Sequence, residues 1–177
     1  MSAAPIIRTL DLRKSVERRV VIEGQLALKK LDRIQTYLCD DSGAVEVNLS
    51  FGKDLQGIHT ITGSLLASVF MQCQRCLESV AVEVSAVVNI GVGYTDDRLK
   101  ALPAEYDPLR QETPELDFWG LIEDELILTL PIVALHSSAD CSIDARYQRR
   151  DDDADDEQAT NPFSVLAAIK GKNDQIS

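Results

Sequence analysis

The chain has 177 residues, 45% of them hydrophobic and 5% aromatic, with 18 Lys and Arg against 29 Asp and Glu for a formal net charge of −11. That length suits one domain with a substantial core and is short for two. The acidic balance argues against a sequence-independent nucleic-acid clamp, which needs cations to replace phosphate counterions, and no apolar run approaches the ~20 residues of a membrane span.

The opening stretch, MSAAPIIRTLDLRK, lacks the apolar segment of about 7–15 residues that marks a secretory signal. The expected location is therefore cytoplasmic, with the four cysteines as reduced thiols rather than a disulfide framework. Arg13, Lys14, Arg18 and Arg19 form a short basic stretch that could contact phosphate.

From about residue 20 to 93 the pattern has period two, the signature of half-buried strands. Val45, Val47, Leu49 and Phe51 alternate with Glu46, Asn48 and Ser50, and the turn residues 40–43 before them suggest a hairpin of 34–38 with 44–51. Leu65, Ala67, Val69 and Met71 share one side of a second run, and Val80, Val82, Val84, Ala86, Val88 and Ile90 one side of a third. Between these two lies CQRCLE, which places Cys73 and Cys76 at a hairpin tip. Cys39, at the end of a strand-like run, is expected in the core.

Residues 95–116 contain Pro103, Pro108 and Pro114 and read as a polar connection without regular structure. DFWGLIEDELILTLP then predicts a helix over about 117–130, with Asp117 as N-cap and Phe118, Leu121, Ile122, Leu126 and Leu130 on one face. Pro131 stops it, because proline disfavours the helical conformation at the residue before. Glu123, Asp124 and Glu125 are expected on a solvated face. An acidic run from Asp151 to Glu157 follows, then NPFSVLAAIKG, where Asn161 can cap and Pro162 can open a short helix anchored by Phe163. The organisation so read is a single α+β core over 1–147, an acidic flexible linker over 148–160 and a short tethered helix over 161–171. The core sheet is antiparallel, with barrel-like closure as one option.

No G-x-x-x-x-G-K-S/T, G-x-G-x-x-G or G-x-S-x-G occurs, and of the two histidines His59 sits in strand-like sequence, so no catalytic constellation is evident. The C-x-x-C pair could be a redox couple, but such pairs open a helix, whereas this one is followed by the strand pattern LESVAVEV. A tight turn can instead aim two thiolates at a metal, and ALHSSADC offers the other two ligands of a tetrahedral zinc. The candidate set is Cys73, Cys76, His136 and Cys141. The competing reading is a metal-free hairpin tip packed under a loop.

CQRCLESV, ALPAEYDPL, DFWGLIEDELILTLPIVALHSSADC and NPFSVLAAIK occur in the order and spacing of the YceD family of large ribosomal RNA subunit accumulation proteins, which this sequence resembles. The matching positions are Cys73, Arg75, Cys76, Leu77, Glu123, Glu125, Leu130, Pro131, His136, Cys141, Asn161, Pro162 and Phe163. Some relatives carry further cysteines beyond the position of Cys141, which this chain lacks. The resemblance implies a non-catalytic factor supporting accumulation of 23S ribosomal RNA, through its synthesis, processing or assembly. Its expected partner is a large-subunit precursor or a basic ribosomal protein, with a weaker contact to RNA. Arg75, Asn161, Pro162 and Phe163 are the candidate partner contacts. The alternative is a thiol- or zinc-dependent enzyme acting on RNA or protein.

Overall fold

The computed structural model describes residues 6–137, 140 and 141. The chain divides into two units, Met1–Cys141 and Ser142–Ser177. The second lies outside the described residues, and with it the acidic linker and the Asn161-Pro162-Phe163 helix.

Within the first unit the fold is α+β. A short strand β1 (Thr9–Asp11) leads into helix α1 (Leu12–Glu17), where the Asp11 carboxylate accepts a hydrogen bond from the Lys14 N–H at 3.0 Å and caps the helix. Strands β2 (Val21–Ala27), β3 (Ala44–Lys53), β4 (His59–Gln72) and β5 (Ser79–Gly93) follow as an antiparallel meander. A five-residue helix α2 (Asp96–Lys100) carries the chain to β6 (Asp107–Arg110), which pairs parallel to β5. The resulting order is β2-β3-β4-β5-β6, with β2 and β6 at the edges. Strand β7 (Glu115–Asp117) pairs antiparallel with β1 and runs directly into helix α3 (Phe118–Thr129).

The alternation expected from sequence is realised in the burial. Val45, Val47, Leu49 and Phe51 of β3 and Leu65, Ala67, Val69 and Met71 of β4 all face the core. In the β4–β5 ladder, Val69 lies opposite Val82 and Met71 opposite Val80, so the longest hairpin closes on the cysteines. Helix α3 covers the same face of the sheet, with Phe118, Leu121, Ile122 and Leu126 buried and the Phe118 ring 5.8 Å from that of Phe51. Asp117 caps it by accepting from the Gly120 N–H at 3.2 Å, and Leu130 is extended (φ −58°, ψ 138°) ahead of Pro131.

Three local expectations are corrected. Residues Ile34–Tyr37 form a 3-10 turn, and the partner of β3 is β2. Only Leu26 of β2 is fully buried and its inward positions include Gly24, so the apolar signal of that strand is weak, whereas Ile34 offered a false one. Residues 95–116 hold α2, β6 and β7 rather than an irregular connection; Pro108 is tolerated because β6 is an edge strand. Cys39 is exposed; its backbone N–H donates to the Phe70 carbonyl at 2.7 Å while the side chain faces out.

Candidate metal centre

The turn between β4 and β5 is built around Cys73. Its N–H donates to the Glu78 carbonyl at 2.8 Å, and its carbonyl accepts from the Leu77 N–H at 2.9 Å. Leu77 completes the turn in the left-handed region (φ 65°), where a side chain costs roughly 1–2 kcal/mol. This winding turns the backbone N–H groups of Arg75 and Cys76 toward the Cys73 sulfur. After α3 the chain passes back over the turn, and the Ala134 carbonyl accepts from the Gln74 N–H at 2.9 Å. That contact brings the third and fourth candidate residues to the first two.

The four ligating atoms of Cys73, Cys76, His136 and Cys141 lie within 4.8 Å of one another. Cys73 Sγ is 3.9 Å from Cys141 Sγ, and Cys76 Sγ is 3.3 Å from His136 Nδ1. Tetrahedral zinc with Zn–S bonds of about 2.3 Å places neighbouring sulfurs roughly 3.8 Å apart, so the group is near the size a metal requires. His136 Nε2 lies 3.0 Å from the Ser79 carbonyl. A carbonyl only accepts, so Nε2 carries the proton and Nδ1 presents its lone pair to the cluster. A second hydrogen bond of this kind is what orients a histidine ligand.

Cys73 is fully buried, and burial pushes its thiol up. The N–H groups of Cys76, His136 and Arg75 outweigh that and bring its pKa down to about 5. Cys76 is pulled down by the Glu78 N–H, but burial and the neighbouring sulfurs of Cys73 and Cys141 prevail and raise it. One thiolate thus forms readily, and neighbouring sulfurs oppose a second unless a cation joins them. Arg75, read from sequence as a partner contact, is exposed and reaches across the cluster. Its Nε–H donates to Cys141 Sγ at 3.0 Å, and its terminal N–H groups reach the carbonyls of His136 at 3.1 Å and Ser137 at 3.4 Å.

The family profile described as "Large ribosomal RNA subunit accumulation protein YceD" matches residues 61–170. The chain belongs to the YceD family. Among curated proteins it is similar to the large ribosomal RNA subunit accumulation protein YceD of Haemophilus influenzae, 32% identical over 166 residues, which covers 93% of this chain and 95% of that one. No solved structure matches. The matched region begins in β4, two residues after its start, and contains the cysteine turn, β5, α3 and all four cluster residues.

One YceD-family position has a role that its sequence context concealed. Glu123, expected on the solvated face of α3, is only 6% exposed. Its Oε1 accepts the backbone N–H groups of Arg33 at 2.6 Å and Ile34 at 3.0 Å, and its Oε2 accepts Arg33 Nε–H at 3.0 Å. The carboxylate therefore anchors the 3-10 turn to α3. Asp124 holds the Arg33 guanidinium from the surface at 2.7 Å, and Asp124 itself is exposed as expected. The only sequence signal for Glu123 was its place among buried positions of the helix, between Ile122 and Leu126.

Proposed function

We propose that this chain is a non-catalytic ribosome-biogenesis factor that supports accumulation of large-subunit ribosomal RNA by binding a precursor particle or a basic ribosomal protein. Membership of the YceD family carries this reading, since the Haemophilus influenzae relative bears that name. The net charge of −11 favours a basic protein partner through electrostatic steering. Asn161, Pro162 and Phe163 are proposed as further partner contacts, with Phe163 as the anchor. Near the cysteine turn, Leu77, Ile132, Val133 and Leu135 are exposed apolar side chains among the described residues, a composition suited to contact with another macromolecule. With a role at ribosome precursors, the proposed location is the cytoplasm; no helix among the described residues is long and apolar enough to cross a membrane.

In the same reading, Cys73, Cys76, His136 and Cys141 hold one zinc ion as a closed structural site. Zinc there supplies a cross-link between the β4–β5 turn and the segment after α3. The enzymatic alternative needs an accessible thiolate or an open metal position. The low pKa of Cys73 meets half of the first condition, but its side chain has no exposure to solvent, which favours ligation over thiol exchange.

The test is depletion of the protein in its own cells, with the ratio of large- to small-subunit ribosomal RNA as readout and capture of the tagged chain from lysate beside it. A fall in the large-subunit RNA, with precursor particles or a basic ribosomal protein co-purifying, is expected. An unchanged ratio on full depletion would refute the proposal.

A further inference from the structure

The end of the β4–β5 ladder away from the cysteines carries a second group of side chains. There His59 on β4 pairs with Lys53 on β3 and with Val92 on β5. The His59 Nδ1 lies 2.9 Å from the Tyr94 hydroxyl, and the two rings meet edge to face at 5.7 Å. The Arg13 guanidinium of α1 lies over the Tyr94 ring, 4.8 Å from its centroid. Beside them opens a cavity of about 390 Å³, floored by Ile58, Val92, Ala101 and Leu102 and bordered by Tyr94 and Arg98.

The charges at this corner are unevenly matched. Arg13, Lys53 and Arg98 make no ion pair among the described residues, although the chain as a whole is strongly acidic. The nearby acids are mostly occupied. Asp54 accepts the N–H groups of Gln56 and Ile58 and the Tyr106 hydroxyl, and Asp96 is paired with Arg110. Glu17 is the acid that acts on His59, where it opposes the depression of the His59 pKa by burial, Lys53 and Arg13. The arrangement is an apolar slot lined by Tyr94 and His59, with Arg98 on its border and Arg13 and Lys53 beside those two rings, all three cations without an ion pair among the described residues. A phosphodiester with a planar base meets both halves of that description, whereas an acidic peptide needs only the cations.

We propose that this corner binds single-stranded RNA, one base entering the slot beside Tyr94 and His59 while Arg13, Lys53 and Arg98 take the adjoining phosphates. The assignment rests on the ribosomal reading and names the surface through which RNA would be touched. Three cations on an acidic body limit the contact to a few nucleotides and make it salt-dependent.

The experiment is fluorescence anisotropy of a labelled oligouridylate with the full chain, across a salt series, for wild type and for the triple variant Arg13→Ala, Lys53→Ala, Arg98→Ala. All three side chains belong to exposed residues, and an unchanged melting curve would verify that the variant is folded. Salt-sensitive binding by wild type is expected. The variant should bind at least about tenfold more weakly, with a slope of log affinity against log salt shallower by about 2, near 0.7 per lost phosphate contact. No binding by wild type, or equal binding by the variant, would overturn the proposal. Equal displacement of the RNA by polyglutamate would overturn it in favour of an acidic protein ligand. If depletion lowers large-subunit RNA while the oligonucleotide goes unbound, only this assignment fails. Binding without that fall refutes the ribosomal reading and leaves the RNA site standing.

Discussion

Glu123→Ala should be among the most damaging single substitutions at a charged position of this chain. The carboxylate satisfies two backbone N–H groups, those of Arg33 and Ile34, and Ile34 is fully buried. Hydrogen bonds to a charged group are worth about 1.5–3 kcal/mol each, and a buried donor left unpaired bears its full desolvation cost. The Arg33 guanidinium is half exposed, so its ion pair adds little. The expected loss is about 3–5 kcal/mol, a large part of the ~5–15 kcal/mol that holds an ordinary domain. For a chain of this length that corresponds to a melting temperature lower by roughly 10 °C or more. Glu123→Gln keeps an acceptor at the Oε1 position and sets an amide against Arg33 Nε, so it should cost about 1–2 kcal/mol. Urea unfolding of the three proteins, followed by circular dichroism, measures both differences. An alanine variant within about 1 kcal/mol of wild type, or a glutamine variant equal to the alanine one, would show that Glu123 does not anchor the 3-10 turn.

Purified without a histidine tag, the chain should carry one zinc per molecule by elemental analysis, and Cys76→Ser should lose both the metal and part of the thermal stability. Arg75→Ala should weaken zinc affinity by about 10–100-fold in a competition titration, and Arg75→Lys should not restore it, because an ammonium cannot reproduce the three-way span from Cys141 to two carbonyls. Gly63→Ala should fail to fold or lose more than about 3 kcal/mol in the same urea assay, because its Cβ would sit 2.0 Å from the Asn48 carbonyl oxygen at a φ of +149°. His59 is held below its ordinary 6.5 by burial first and then by Lys53 and Arg13, so it stays neutral in the fold while the unfolded chain takes up a proton. Stability should therefore decline as pH falls from about 6.5 toward the folded value, and His59→Gln should flatten the melting-temperature profile in that range. An unchanged profile in the variant would remove His59 as the source.

What could be read from the sequence is what depends on near neighbours. Asp117, the i, i+3 and i, i+4 apolar positions and Pro131 bound α3 within a residue of the observed limits. The alternation on either side of CQRCLE is a direct consequence of one buried sheet face, and the register of β4 and β5 follows from it. The cluster was legible because its ligands are of a rare type in two compact pairs. What stayed hidden depends on distant partners. The N–H groups of Arg33 and Ile34 find their acceptor 90 and 89 residues away, so a local reading took the turn for a strand and Glu123 for a solvent group. Strand β6 is stabilised by the backbone of β5, to which the apolar pattern of 107–110 contributes little. Nothing in the neighbourhood of Arg75 announces Cys141, 66 residues on.

The separation of the cluster's two halves also bears on when the site can exist. Cys76 and His136 are 60 residues apart, and closing a loop of that size costs roughly 3–4 kcal/mol of chain entropy. The β4–β5 hairpin, by contrast, closes locally and can form in microseconds as soon as its strands are made. During synthesis the C-x-x-C turn is therefore complete while α3 is still being added, and it waits with two ligands for the others. Under the proposed zinc reading, metal capture would be the last event in the maturation of this unit, completed only after Cys141 has emerged and α3 has settled on the sheet. A zinc-loaded chain would be a finished one, and a cell short of zinc would accumulate molecules with a formed sheet and an untethered segment after the helix.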